Sequence, residues 1–273
     1  MDYKTILVNL DIDGPVVPII TAAADLAERF QAKLIGFCAA DAPLLVTGVE
    51  GGELATEAWQ MIRKDIARDF ERVRGEFEKI VGGKIEAHWR DSLEGPSQGL
   101  ARAARFADLI VVSASEGAAT GDAFRTCNPG SVVLQAGRPI LIAAKDADRM
   151  LTKRVTVAWK DTREARRAVA DAVPLLAAAE EVDIVAIAGE IDIWLRESLS
   201  DVASFLAGHG IKARTHAIEG TRDSNDLISF LKEHRTDLVV SGAYGHSRLR
   251  EWVFGGVTRS LIDQTDLNRF FSN

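Results

Sequence analysis

The sequence is poor in cysteine. Cys38 and Cys127 are the only two among 273 residues, too few for a disulfide framework and in keeping with a reducing cytoplasm, where we expect the protein to work. Long apolar runs are also missing, and no stretch approaches the ~18 residues that a membrane-spanning helix needs. The opening MDYKTILVNLDIDG has an acidic second residue and soon turns strand-like, so a signal peptide is not expected. Basic residues are outnumbered, 33 to 40, giving a net charge of −7; a general nucleic-acid binder would carry a basic face instead. The five histidines, His88, His209, His216, His234 and His246, are scattered without metal-ligand spacing, so no metal site of the protein's own is expected. Neither Ser113 nor Ser241 lies in a G-x-S-x-G elbow, which argues against a serine hydrolase. Cys127 precedes Asn128-Pro129-Gly130, a turn sequence, and reads as an inert thiol.

What is present is a globular composition, 47% hydrophobic and 27% charged, on a chain long enough for one large domain or two ordinary ones. It repeats. KTILVNL (4–10) and RVTVAW (154–159) are short apolar strands, each followed by an alanine-rich helical pattern, from Pro18 and from Arg163. KLIGFCAA (33–40) matches VDIVAIAG (182–189), KIEAHW (84–89) matches IKARTHA (211–217), and ADLIVVSA (107–114) matches TDLVVSGA (236–243). Strands alternating with helices at this spacing imply crossover connections and parallel sheets covered on both faces. The fold class is therefore α/β: two tandem doubly wound domains, each with a five-stranded, mostly parallel sheet flanked by helices. The boundary falls in the charged connection 143–153, giving domains 1–147 and 148–273. PILIAA (139–144) and NRFFSN (268–273) are the last strands, through which the halves are expected to pack as a pseudo-symmetric pair. Asn268 and Arg269 stand where the first half has Pro139 and Ile140, which predicts a less regular second edge.

The copies differ between their second and third strands. There the first half carries an extra amphipathic helix, with Leu54, Ala58, Ile62, Ile66, Phe70, Val73, Phe77 and Ile80 recurring every three or four residues. Such a helix serves packing or presents a partner surface.

In the second half, SGAYGHSRLREWVFGGVT (241–258) sets four glycines between a strand and a helix. A strand-to-helix loop at the carboxyl edge of a parallel sheet faces the crevice where ligands bind. Glycines there let a ligand approach backbone N–H groups without meeting a Cβ, and a following helix would add unpaired N–H groups suited to phosphate. The segment is neither a P-loop nor a compact GxGxxG site. Its spacing, G-x2-G-x9-G-G-x-T, resembles that of the universal stress proteins, in tandem two-domain form. Nucleotide-binding members carry G-x2-G-x9-G-[ST] after the fourth strand and wrap it round an ATP phosphate chain. By that resemblance Gly242, Gly245 and Gly255 are the three motif glycines, Gly256 replaces the usual Ser or Thr, and Val257 and Thr258 match the next two positions. The resemblance implies an adenine nucleotide, ATP first, with Mg2+ only alongside a bound nucleotide. It implies phosphates over Gly242–Thr258 and the base near Lys160 and Ile187, at the ends of the first two strands.

Two departures from the family pattern are visible. Lys160, followed by Asp161 and Thr162, stands where members often have Asp, and Gly256 lacks the hydroxyl. Trp159, at its strand end, can stack on a base or pack in the core. His246, Arg248 and Arg250 lie in the loop beside Glu251, open to phosphate contact or to surface pairing. The first half keeps Asp11 at its strand end, but Gly117, Gly121 and Gly130 do not have the spacing, so it reads as a scaffold partner. Three functions remain open: a regulatory nucleotide binder with one competent site, a ligand-free interaction protein built as an internal pseudo-dimer that can dimerise again, and a nucleotide phosphohydrolase or phosphotransferase. No catalytic residue stands out for the third.

Overall fold

The computed structural model of the chain describes residues 2–43, 52–114, 122–145, 150–220, 223–243 and 256–273. The first half runs β1 (Thr5–Asn9), α1 (Val16–Phe30), β2 (Lys33–Ala40), α2 (Gly52–Val81), β3 (Ala87–Leu93), α3 (Pro96–Ala103), β4 (Leu109–Val112), α4 (Pro129–Gln135) and β5 (Ile140–Ile142). The second runs β6 (Arg154–Ala158), α5 (Arg163–Ala177), β7 (Glu181–Ala188), α6 (Ile193–Gly208), β8 (Ala213–Glu219), α7 (Asp223–Glu233), β9 (Leu238–Gly242), α8 (Gly256–Ile262) and β10 (Asn268–Ser272). Among these, no helix is long and apolar enough to cross a membrane.

The strands form one sheet in the order β3-β2-β1-β4-β5-β10-β9-β6-β7-β8. Each half supplies five strands, as the repeat implies. The two sets merge into ten because β5 and β10 pair, with Arg269 opposite Ile142 and Phe271 opposite Ile140. That pair is antiparallel, while the neighbouring pairs β4–β5 and β9–β10 are parallel. The carboxyl ends of the strands in one half therefore point opposite to those in the other, and the two loop-bearing edges lie on opposite sides of the sheet.

Both faces are covered, which is why the strands read as unbroken apolar runs. α1, α2, α5 and α6 contribute Leu26, Phe77, Leu176 and Leu206 to one core layer. α3, α4, α7 and α8 contribute Leu100, Val132, Phe230 and Leu261 to the other. The aspartates that open the repeated DLIVV and DLVV runs do the same work in each half. Asp108 accepts the backbone N–H groups of Lys4 and Thr5 at 2.8 and 2.9 Å, and Asp237 accepts that of Arg154 at 2.9 Å. Each carboxylate thus satisfies the start of a strand that neighbours its own in the sheet.

Three local expectations are revised. The third strands begin later than their apolar patterns suggest, at Ala87 and Ala213. In the first half the chain spends its opening residues in a turn, where Gly82 and Gly83 have φ of +50° and +72° and the Lys84 N–H reaches back to the Val81 carbonyl. Asn128-Pro129-Gly130 is no free turn but the start of α4. Asn128 caps the helix by accepting the Ser131 N–H at 2.9 Å, and Pro129 takes the first helical position, where its missing N–H costs nothing. The last strand of the second half is also the more regular of the pair, five residues against three. It is hydrogen-bonded on both sides, and at Arg269 two of the three guanidinium nitrogens have partners while the buried Nε has none among the described residues.

Arg269 is fully buried. Its Nη1 donates to the Ile262 carbonyl at the end of α8 (2.8 Å), and its Nη2 to the Ala143 carbonyl just past β5 (2.9 Å). Burial pulls its pKa down to about 10, against the field of Asp263 and Asp266. Around it, Asn268 accepts the Ala144 N–H and donates to the Leu151 carbonyl. The end of α8, the end of β5 and the connection between halves therefore meet at two adjacent side chains.

Candidate functional site

At the carboxyl edge of the second half, β9, β6 and β7 lie side by side, with Ala158 in register with both Ser241 and Val185. This brings Gly242, the Trp159–Lys160 pair and Ile187 to adjacent strand ends, while Gly256, Val257 and Thr258 open α8. Gly245 and Gly255, with His246, Arg248, Arg250 and Glu251, lie outside the described residues, as do Gly117 and Gly121 of the first half.

Gly242 has a packing reason of its own. A Cβ there would stand 2.5 Å from the backbone nitrogen of Ala165 and 2.6 Å from the carbonyl carbon of Glu164. The first turn of α5 is seated directly on the end of β9. Thr162 caps that turn, accepting the Ala165 N–H at 3.3 Å. Its charges are largely spoken for: Asp161 pairs with Arg166 at 2.8 Å, and the nearly buried Glu164 pairs with Arg163 at 3.0 Å. Burial pushes the Glu164 carboxyl up, but its own N–H and the Arg163 side chain outweigh that, and it titrates below the usual range. Lys160 stands exposed beside them with no ion-pair partner among the described residues.

Trp159 is in the core rather than in the open, 8% exposed, with its indole N–H donated to Ser198 Oγ at 3.2 Å. Its ring packs in the core layer of α5 and α6. Ile187 is half-buried and packs against the core layer of α7 and α8. Thr258 is buried and Val257 half-buried. Sequence reasoning passed over Trp194, which stands 74% exposed in the first turn of α6. Asp192 caps α6 by accepting the Leu195 N–H and so fixes where the helix begins, but not which way Trp194 faces.

The corresponding edge of the first half is closed by its own chain. Asp11 accepts the Asn9 side-chain N–H and the Cys127 backbone N–H, both at 2.9 Å. Burial raises its pKa, opposed by those same donors. Arg125 grips Asp13 with two nitrogens, one at 2.8 Å, and reaches Asp69 of α2 at 3.5 Å. Segment 122–128 is thereby strapped over the end of β1. Burial pushes both thiols up, Cys38 to outside the physiological range, in keeping with inert cysteines.

The Asp13–Arg125 clamp has a testable pH dependence. The Arg125 hydrogen bond holds the Asp13 pKa below its ordinary value. Its stabilisation is therefore complete above the unfolded value and disappears as the pH falls through the lowered folded one. Arg125→Ala should cost about 1–2 kcal/mol at neutral pH. In urea titrations the gap to wild type should close in strong acid. A gap that stays constant with pH would remove the clamp from the account.

No protein-family model matches the sequence, and no curated protein matches it either. Solved structures do. One is a universal stress protein from Archaeoglobus fulgidus DSM 4304, 14% identical, with a TM-score of 0.69 over 98% of this chain and 96% of that one. The fold is that of the universal stress proteins. A provisionally named universal stress protein from Pseudomonas aeruginosa UCBPP-PA14 aligns over 99% of this chain and 93% of its own, 14% identical, with a TM-score of 0.56. A functionally unknown protein from Pseudomonas aeruginosa PAO1 does so over 99% and 92%, 13% identical, also at 0.56. The likeness to the universal stress fold thus spans both halves, and at these identities it speaks for architecture.

Proposed function

We propose that this chain is a regulatory protein of the universal-stress type that holds one adenine nucleotide, ATP first, in its second half. The modules are residues 1–147 and 148–273, working in the cytosol. The observation that carries the reading is the convergence of the glycine spacing with the fold. Of the residues singled out by the motif, Gly242 ends β9 and Gly256, Val257 and Thr258 open α8, at the edge where parallel α/β sheets take ligands. An exposed Lys160 beside them, without an ion-pair partner among the described residues, supplies a cation for phosphate. The phosphates run over Gly242–Thr258 and the base lies near Lys160 and Ile187, with Trp159 beneath. Mg2+ enters only with the nucleotide. The first half, strapped by Arg125 and Cys127, is the scaffold.

A second reading, a ligand-free interaction protein, is favoured by Gly242, whose lack of a side chain the packing of α5 already requires. Calorimetric titration with ATP and ADP separates the two. The expected result is one site per chain, abolished in a folded Gly245→Val protein and intact when Gly117 is changed likewise. Two sites per chain, or unchanged affinity in Gly245→Val, would sink the assignment. No binding at all, with no nucleotide released from gently purified protein, would leave the ligand-free reading.

A further inference from the structure

Trp194 and Ile193 are adjacent, 74% and 65% exposed, in the first turn of α6. Single exposed apolar side chains are common, but among the described residues Trp194 is the most exposed of the large ones. Their place in the fold is narrow. Only residues 189–192 separate the end of β7 from α6, so the first turn of the helix stands at the carboxyl edge of the sheet. Leu199, Val202 and Leu206 turn the other face of α6 into the core.

The direction of Trp194 follows from a printed contact. Ser198 takes the indole N–H of Trp159, so the side of α6 that bears Ser198 faces the end of β6. Trp194 lies four residues earlier, one turn up on that side. Helical side chains lean toward the N-terminus of their helix, which here carries the ring outward beyond Trp159, over the strand end that continues into Lys160. Trp159 is spent on packing. Among the described residues, Trp194 is the aromatic surface at this edge that remains open.

We propose that Trp194 is the platform on which the base of the bound nucleotide stacks, so that this site selects for a flat heteroaromatic ring as well as for phosphate. The inference rests on the nucleotide reading above. It follows from ring chemistry: a base stacked on an aromatic face gains affinity through contact and polarizability, in a manner tolerant of base identity. The platform itself does not tell adenine from guanine, and the adenine preference proposed above rests on other contacts.

The test is calorimetry with ATP on wild type, Trp194→Ala, Trp194→Leu and Trp194→Phe, each checked for wild-type melting, which an exposed position permits. Ala and Leu should each weaken ATP by about tenfold, whereas Phe, which keeps a π-face, should stay within about threefold. ATP should also quench tryptophan emission in wild type more than in Trp194→Phe. If wild type binds and Leu or Ala binds equally well, the platform is overturned while the nucleotide reading stands. If wild type takes up neither ATP nor GTP, the nucleotide reading itself fails, and the platform falls with it.

Discussion

Replacing Gly242 with alanine should lower the melting temperature on the order of 10 °C, and valine should leave the second half unable to fold. The added Cβ would sit 2.5 Å from one backbone atom and 2.6 Å from another. Both belong to the capped first turn of α5, so no rotamer change can relieve the clash. Either β9 or the helix must shift, and both are locked, β9 between β6 and β10 and α5 through Ala165, Ala168, Val169 and Ala172 in the core. Overpacking of this kind costs about 3 kcal/mol, which in a domain of this size corresponds to that shift in melting temperature. Differential scanning calorimetry decides it. A Gly242→Ala protein melting with wild type would mean that α5 can give way, and that this glycine is kept for a ligand instead. Loss of nucleotide binding in that variant would by itself say nothing about the site, since the edge would already be displaced.

Gly242 also marks where a sequence stops being legible. The alternation of strands and helices could be read because parallel strands covered on both faces must be apolar throughout, as LIVV and LVV are. The glycine spacing could be read as a motif. That one of those glycines is demanded by a helix beginning some eighty residues earlier could not, because the contact is made only when α5 lands on β9. Asn128-Pro129 is legible both as a helix start and, with Gly130 after it, as a turn, and only the Asn128 cap on Ser131 decides between them. Trp194 was invisible for the converse reason. A tryptophan near a strand end is ordinarily core, as Trp159 is, and nothing in the local sequence says which of the two will be left in solvent. The ten-stranded continuity was half legible. The terminal strands could be paired by repeat, but the antiparallel sense of β5 and β10 depends on how two halves meet. That sense is what sends their loop-bearing edges to opposite sides.

Arg269 is the residue at which the meeting of halves can be measured. It occupies the register position that Ile140 holds in the first half, opposite Val239 as Ile140 is opposite Ile110. Two effects oppose each other there. Burying a guanidinium is costly, which an apolar side chain would avoid. Against that, Arg269 satisfies two carbonyls, those of Ile262 and Ala143, which an apolar side chain would leave buried without donors. The two hydrogen bonds should win, because they are charge-assisted and because Asp263 and Asp266 offset part of the desolvation. Arg269→Met is therefore expected to lose about 1–2 kcal/mol despite filling the space, and Arg269→Ala about 3–4 kcal/mol, since it adds a cavity to the orphaned carbonyls. Urea denaturation gives both numbers. A Met variant more stable than wild type would show that desolvation dominates and that Arg269 is retained at a cost. With the expected order, wild type above Met above Ala, the loss should also surface as faster hydrogen exchange at Ala143–Lys145 and in α8 together, because one side chain holds both.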